Sequence, residues 1–359
     1  MDVSLFNYDL PPDRIAQKPM EPREAAKLLV LDRVTGAIDD KHVSDLPNLL
    51  RAGDLLVFND SKVFKARLRA RSAEPGARNV EIFLLRPDMA GWKALVRPAR
   101  TVRSGHRLTL IDAPRSALRV LQKHADGTLE LDFGMTADEV FALCDRIGEV
   151  PVPPYVEPTS ENTSIYQTAY AKHVGSVAAP TAGFHFTPDL LKRLADRGVQ
   201  TAFVTLHVGL GTFRPMKTTT LEEHMMHEEW AHVPVETALA IRETKKRGGR
   251  VIVVGTTAMR ALESAYRITH NANHGPVSEM LRATRYALRD WSGFTNLFIT
   301  PGFRFKVADG LITNFHLPKS TLIVLVSAFA GPESIKNAYL HAIDHGYRFY
   351  SFGDAMLIS

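Results

Sequence analysis

The sequence predicts an α/β protein into which a second, β-rich domain is inserted. Strand-like and helical segments alternate near both ends of the chain, and a block of short strands fills residues 65–149. A proline-rich stretch, GEVPVPPY, follows that block and suits a return linker. The α/β domain therefore comprises residues 1–64 and 150–359. One continuous mixed domain is the alternative.

The first 64 residues combine a turn-rich opening with strands. Prolines at positions 11, 12, 19 and 22 exclude a long helix there. The run KLLVLDRVTGAI indicates two strands joined by a turn at Gly36, and DLLVFND indicates a buried strand that ends at Asn59 and Asp60. This part of the chain therefore delivers polar side chains to the end of a strand.

Residues 65–149 are predicted to form a small barrel or sandwich, because short strands recur there every 10 to 15 residues or so. Arg67, Arg69 and Arg71 alternate along the first of these strands, which places them on one face. Such a face could contact phosphates, or it could simply be solvated. Residues 137–146 read as a helix.

The remainder alternates helices and strands. TPDLLKRLADRGV predicts a helix with Thr187 as its N-cap and Gly198 as its stop. RVIVVGTTAMRALESAYRI predicts a strand, a tight turn and a helix capped by Thr256 or Thr257. The helix N-terminus could bind a carboxylate or a phosphate, or could merely pack. NLFITPGF and LITNFHLP are predicted as strands or strand ends, and residues 271–290 as irregular.

Composition excludes several classes of protein. The chain of 359 residues has a formal charge of +5, which is mild for a nucleic-acid binder. No apolar run is long enough to cross a membrane, and the N-terminus lacks the pattern of a signal peptide. Cys144 is the single cysteine, so a disulfide framework and a cysteine zinc cluster are excluded. A cytoplasmic enzyme without a membrane partner is expected.

Two histidines stand out as candidates for chemistry. His185 lies in PTAGFHFT just ahead of a predicted helix, and His207 lies near the end of a predicted strand before Gly209 and Gly211. Glycines permit close approach of the backbone to a ligand. Both histidines could instead be structural residues in tight turns.

A second group of histidines, in the stretch HEEWAH, does not have the spacing of a metal-binding motif. His227 and His232 in HEEWAH resemble H-E-x-x-H, but the second histidine comes one residue late and the shared helical face is lost. We therefore expect no metal at this site. A zinc hydrolase built on this cluster and a non-catalytic RNA-binding protein remain as alternative functions.

Motifs along the whole chain resemble one family. GSVAAPTAGFHFT, TLHVGLGTFRP, VGTTAMRALES, TNFHLPKSTL and YRFYSFGDAML, together with DLPPDRIAQKP and GDLLVFNDS near the start, are similar to the S-adenosylmethionine:tRNA ribosyltransferase-isomerases of queuosine biosynthesis. The resemblance implies a barrel-like mixed sheet with capping helices and an inserted small all-β barrel. It also implies transfer and isomerisation of the ribosyl group of S-adenosylmethionine onto preQ1 (7-aminomethyl-7-deazaguanine) at the tRNA wobble position.

The products would be epoxyqueuosine-tRNA, adenine and methionine. S-adenosylmethionine would be a consumed substrate, with no further cofactor, and the tRNAs would carry GUN anticodons and serve Asp, Asn, His and Tyr. A monomer is expected.

The implied chemistry suggests roles for individual residues. Removal of a proton beside the sulfonium needs a base, and departure of adenine is helped by a proton donor. The leading acid–base candidates are His185 and His207, followed by His316 and Asp60. Candidates for binding S-adenosylmethionine are Arg214 or Arg260 with Glu228, and also Thr256 and Thr257. Candidates for binding tRNA are Arg67, Arg69, Arg97, Lys319 and Arg348.

Overall fold

The structure is a computed structural model that describes residues 1–72, 78–209, 211, 215–271 and 288–359. It contains a nine-stranded mixed sheet, a closed six-stranded antiparallel barrel and a small two-stranded sheet. The prediction of an α/β sheet with an inserted β-barrel is confirmed.

Strands are numbered along the chain. The main sheet has the order β15-β13-β12-β3-β14-β16-β17-β1-β2. Its strands are β1 (Lys27–Leu31), β2 (Ile38–His42), β3 (Leu55–Asn59), β12 (Gln200–Leu206), β13 (Glu229–Val233), β14 (Val251–Val254), β15 (Trp291–Thr295), β16 (Gly310–Asn314) and β17 (Ala355–Ile358).

The centre of this sheet is parallel. β12, β3, β14 and β16 run parallel to one another, with Phe203 opposite Phe58 and Val253 opposite Val57. β13 and β15 extend one side as antiparallel strands. Parallel strands are normally covered on both faces, and a central strand such as β3 is buried along its whole length.

Helices cover the sheet. They are α1 (Leu46–Leu49), α2 (Ala137–Ile147), α3 (Ser160–Ser164), α4 (Pro188–Asp196), α5 (Val235–Lys246), α6 (Thr256–Asn271), α7 (Thr321–Ala330) and α8 (Pro332–Asp344). Thr187 caps α4 as predicted, because its side chain accepts a hydrogen bond from the Leu190 amide at 3.1 Å.

Successive side chains of a strand in the main sheet pack into two different hydrophobic cores, one on each face. Val57 of β3 packs in the core that contains α6, α7 and α8, whereas Phe58 packs in the core that contains α1 and α4. Side chains that alternate across a strand require this division. The sheet therefore has helices packed on both of its faces.

The barrel is formed by consecutive strands with the closed order β10-β7-β6-β5-β8-β9. They are β5 (Arg67–Ser72), β6 (Asn79–Asp88), β7 (Gly91–Arg97), β8 (Arg107–Leu110), β9 (Ala117–Lys123) and β10 (Leu129–Asp132). Its core is separate, and α2 contributes Val140, Leu143 and the buried Cys144 to it. The barrel strands fall within the predicted insertion, and the boundaries at 64/65 and 149/150 stay a prediction.

The sequence did not indicate two strands of the main sheet. β13 lies within the HEEWAHV stretch that had suggested a metal cluster, and β15 lies just before the predicted NLFITPGF strand. Most of the segment predicted as irregular lies outside the described residues. None of the described helices is both long and apolar enough to cross a membrane.

Candidate functional site

The carboxyl ends of four parallel strands meet at one edge of the main sheet. In open α/β sheets such an edge is where ligands bind. Polar residues end or follow each of the four strands there: Asn59 ends β3 and Asp60 follows it, His207 follows β12, Thr256 and Thr257 follow β14, and Asn314 ends β16 with His316 just beyond it. The sequence had placed these residues at element ends, and the fold brings those ends together.

Asn59 ties this edge together. Its amide nitrogen donates to Thr257 Oγ1 at 3.1 Å and to the Leu206 carbonyl at 3.0 Å. Its amide oxygen accepts from the backbone amides of Leu206 at 3.0 Å and Ser61 at 3.1 Å. One fully buried side chain thus fixes β12 and the start of α6 against the end of β3.

Asp60 is a buried carboxylate with one neutral and one ionisable neighbour. Thr205 donates to Oδ1 at 2.7 Å, and His173 Nε2 lies 3.6 Å from Oδ2. Burial raises the pKa of Asp60, against the lowering effect of these neighbours. His173 is half exposed, so it connects this carboxylate to solvent. His173 comes from β11 (His173–Ser176), which pairs with β4 (Ser61–Val63).

The imidazole of His207 is held between two residues. It stacks on Trp230, with ring centroids 5.0 Å apart. It also packs so closely against Gly175 that a Cβ there would lie 2.6 Å from Nε2, and Gly175 has a φ of +152°. Among the described residues Nδ1 is buried without a hydrogen-bond partner. Burial lowers the pKa of His207 to about 4, so the ring is neutral at neutral pH.

His316 and His185 are also buried and neutral. His316 Nε2 lies 2.9 Å from Thr313 Oγ1, and desolvation lowers its pKa to about 3. His185 Nε2 accepts from Asn314 Nδ2 at 3.2 Å, and desolvation lowers its pKa to about 4. His316 lines the cavity beside Thr256, whereas His185 lines a separate cavity of about 200 Å³.

Arg260, a predicted ligand of the S-adenosylmethionine carboxylate, forms an ion pair with Glu229, and its role in substrate binding stays a prediction. Both members of this ion pair are nearly buried, with 4% and 5% of their side chains exposed. The amide of Gly209 also donates to Glu229 Oε1 at 2.7 Å. Glu229 begins β13 and turns inward, whereas Glu228 precedes the strand and is exposed. Arg214, the other predicted cation, lies outside the described residues.

Three cavities lie near the carboxyl edge of the main sheet, and the second and third share lining residues and form a groove between the sheet and the barrel. The first, about 490 Å³, is lined by Thr256, Thr257 and His316 among others. The second, about 760 Å³, is lined partly by Arg67 and Arg97 of the barrel. The third, about 1680 Å³, is lined by residues that include His207, Glu228, Trp230 and Phe294 from the sheet and Arg86 and Lys93 from the barrel. Gly209 borders both the second and the third.

The arginines of β5 share one face of the barrel, as the alternation predicted. Arg69 and Arg71 are exposed, whereas the neighbouring residues Leu68 and Ala70 are buried. Arg69 is partly neutralised by Asp112, which it meets at 2.8 Å. Arg67 is half-buried at the groove, with its guanidinium 5.7 Å from the centre of the Phe83 ring.

The other predicted tRNA ligands differ in their availability. Arg97 is exposed at the second cavity. Lys319 is exposed just before α7, in a left-handed conformation with a φ of 54°. Arg348 is half-buried, 3.4 Å from Asp354, and donates to the Lys18 carbonyl at 3.1 Å. Its guanidinium is therefore already engaged within the protein.

The predicted histidine cluster of residues 224–232 provides no support for a zinc hydrolase. In the described part of the chain, the one group of three potential metal ligands is Asp40, His341 and His345. Asp40 belongs to β2, which lies at the opposite end of the main sheet from β13. His224 instead packs edge-on against Phe298, with ring centroids 5.3 Å apart.

Three residues at the site were not singled out from the sequence. Gly175 and Trp230 hold His207, and Glu229 binds Arg260. The alternation in EWAHV could have indicated a strand with Glu229 facing inward. No local pattern indicates that Gly175 contacts His207, because the two are 32 residues apart.

Comparison with known proteins places the chain in a family. The model of the family described as queuosine biosynthesis protein matches residues 3–358. The crystal structure of an S-adenosylmethionine tRNA ribosyltransferase from Thermotoga maritima is similar, with 38% sequence identity and a TM-score of 0.56. That match covers 99% of this chain and 100% of the other. The chain therefore belongs to the queuosine biosynthesis protein family.

Proposed function

We propose that this protein is an S-adenosylmethionine:tRNA ribosyltransferase-isomerase. It transfers the ribosyl group of S-adenosylmethionine to the aminomethyl group of preQ1 at the tRNA wobble position and isomerises that group. The products are epoxyqueuosine-tRNA, adenine and methionine. Membership of the queuosine biosynthesis family and the likeness to the T. maritima ribosyltransferase support this reaction.

The observation that carries the proposal is the groove itself. On one side lie His207 and Glu228 at the edge of the main sheet, and on the other side lie basic side chains of the barrel, namely Arg67, Arg86, Lys93 and Arg97. Such an arrangement suits a reaction between a small charged substrate and a polyanion. The wobble nucleotide must leave the anticodon stack to reach the edge, and the third cavity is large enough for a nucleotide with aromatic side chains beside it.

His207 is the proposed proton acceptor. The sulfonium acidifies the neighbouring C5′ protons, and a base must remove one of them. The lowered pKa of His207 keeps its ring in the accepting form, and the ring lines the groove. His316 is equally neutral and lines the first cavity, so it is the alternative acceptor there.

Departure of adenine needs a proton donor, whereas removal of the C5′ proton needs an acceptor. A raised pKa favours the protonated form of a carboxyl group, which suits Asp60 with the adjacent His173. His185 lines a separate cavity, and its bond to Asn314 suits it to positioning that amide. Thr256 and Thr257, which line the first cavity at the N-terminus of α6, are proposed to bind the carboxylate of S-adenosylmethionine, and Glu228, which lines the third cavity, is proposed to bind its ammonium group.

The finer features of the proposal follow from the family resemblance. The substrates are preQ1-containing tRNAs with GUN anticodons, for Asp, Asn, His and Tyr. The enzyme acts in the cytoplasm as a monomer and needs no cofactor besides the S-adenosylmethionine that it consumes.

Adenine release tests the reaction. Purified protein is mixed with S-adenosylmethionine and preQ1-tRNA, and adenine is measured by chromatography. We expect release that depends on preQ1 in the tRNA, and none with the same tRNA carrying guanine. Folded protein that binds both substrates but releases no adenine would refute the proposal, and binding of tRNA without any turnover would favour a non-catalytic RNA-binding protein.

A further inference from the structure

A cluster of potential metal ligands lies outside the groove, where edge strand β2 meets helix α8. Asp40 comes from β2, and His341 and His345 come from the last turn and the C-cap of α8. One ring nitrogen of each histidine and one carboxylate oxygen all lie within 4.8 Å of one another. We propose that these three residues bind a zinc ion, or a similar divalent transition-metal ion, that joins β2 to α8.

The spacing of the histidines suits chelation. Residues four apart lie on the same face of a helix, so two imidazoles can share one ion. The rings of His341 and His345 are 3.8 Å apart between centroids and nearly parallel, at 14°.

The hydrogen bonds prepare the ligand atoms. His345 Nδ1 lies 2.8 Å from the His341 carbonyl, which can only accept, so Nδ1 carries the proton and Nε2 keeps its lone pair. His341 Nε2 lies 2.9 Å from Asp40 Oδ2, and the ion would replace the shared proton. The hydroxyl of Tyr347 donates to Asp40 Oδ1, which orients the carboxylate as the outer ligands of metal sites commonly do.

The geometry is close to what zinc requires. Zinc–nitrogen and zinc–oxygen distances of about 2.0–2.2 Å place tetrahedral ligands roughly 3.3 Å apart. His341 and Asp40 already meet this spacing, so rotation of the exposed His345 completes the set. Three protein ligands of this kind leave a fourth position for water. The side chain of Asp40 is 44% exposed and that of His341 25%, so an ion can enter from solvent.

Zinc titration of the full-length protein by calorimetry tests the proposal, with cobalt absorption as a second signal for tetrahedral coordination. We expect one zinc ion per chain and a rise in Tm that a chelator reverses, because an ion that binds only the folded state stabilises it. His345→Ala and Asp40→Asn should each weaken zinc binding by about 10- to 100-fold or more, and Tyr347→Phe by about 10-fold.

His106→Ala is the matched control, because it removes a histidine from the barrel, and His224→Ala reports on the other histidine cluster. Tm measured with chelator shows whether each variant is folded, and His345 is exposed enough to be replaced without loss of core packing. The proposal is overturned if no saturable binding occurs in the micromolar range. It is equally overturned if His224→Ala abolishes binding while His345→Ala leaves it intact. Neither result bears on adenine release.

Discussion

The edge of the main sheet and the outer face of the barrel are both polar, but they are built in opposite ways. At the edge, His185 and His316 are only 5% and 7% exposed, and the residues come from positions as far apart as Asn59 and His316. On the barrel, Arg69 and Arg71 are exposed and belong to one strand among consecutive antiparallel neighbours.

This difference indicates which region suits proton transfer and which suits phosphate binding. Burial changes the protonation of the edge histidines, because desolvation penalises their charged form, and groups with altered pKa values suit proton transfer. Exposed arginines keep their charge and their mobility, which suits phosphate binding that depends on salt. Three predictions test this division, from the largest expected effect to the smallest.

Low pH should destabilise the protein, because the buried histidines at this edge of the main sheet are harder to protonate in the folded state. The pKa values of His185, His207 and His316 are lowered from 6.5 to about 4, 4 and 3. The unfolded state therefore binds more protons below pH 6.5, so the stability present above that pH is lost as pH falls towards 4. The loss should be on the order of several kcal/mol. Urea unfolding at a series of pH values measures it.

His316→Gln should reduce the dependence of stability on pH in this window by about one proton, or about 1.4 kcal/mol per pH unit. Glutamine retains a polar group near Thr313 Oγ1 but does not titrate. If the pH dependence of the variant equals that of the wild type, His316 is not one of its sources.

Gly175→Ala should damage catalysis through His207. The added Cβ would lie 2.6 Å from Nε2, and the φ of +152° disfavours a side chain, so the imidazole must move. We expect kcat to fall about 100-fold, equivalent to about 2.7 kcal/mol, while KM for both substrates changes little.

Gly302→Ala is its control. Gly302 also has a positive φ, of 94°, but a Cβ there would meet nothing within 4 Å. Adenine release and Tm are measured for both variants. An equal loss of kcat in the two would mean that backbone strain, and not the position of His207, is responsible.

Removing the β5 arginines should weaken tRNA binding alone. Replacement of Arg67, Arg69 and Arg71 by alanine should raise KM for tRNA and leave S-adenosylmethionine binding unchanged. For each phosphate that the protein no longer neutralises, the slope of log K against log salt should become shallower by about 0.9. Arg71→Ala should have more effect than Arg69→Ala, because Asp112 already neutralises Arg69 in part.

Arg51→Ala provides the comparison, since Arg51 is exposed just before the amino end of β3, at the opposite edge of the sheet. Filter binding at several salt concentrations measures tRNA affinity for the wild type and for each variant. Unchanged tRNA binding in the triple variant would remove the barrel face from the proposed interface.

Local patterns were sufficient for much of the fold. The alternation of Arg67, Arg69 and Arg71, the Thr187 cap and the motifs at the strand ends were readable from the sequence, because each depends on residues only a few positions apart. The histidine cluster was misleading in the same local way, since HEEWAHV resembled a metal-binding motif but contains strand β13. A partner strand stabilised that segment, and the segment itself does not contain this information.

The sequence by itself therefore determined the family, the two kinds of domain and the polar residues that end the strands, because short-range periodicity and motif order encode them. The tertiary structure decided which of those residues act together. It placed Glu229 on Arg260, seated His207 between Trp230 and Gly175, and brought Asp40 to His341 across about 300 residues. Such contacts depend on how strands pair and helices pack, and burial then sets the protonation of the groups involved.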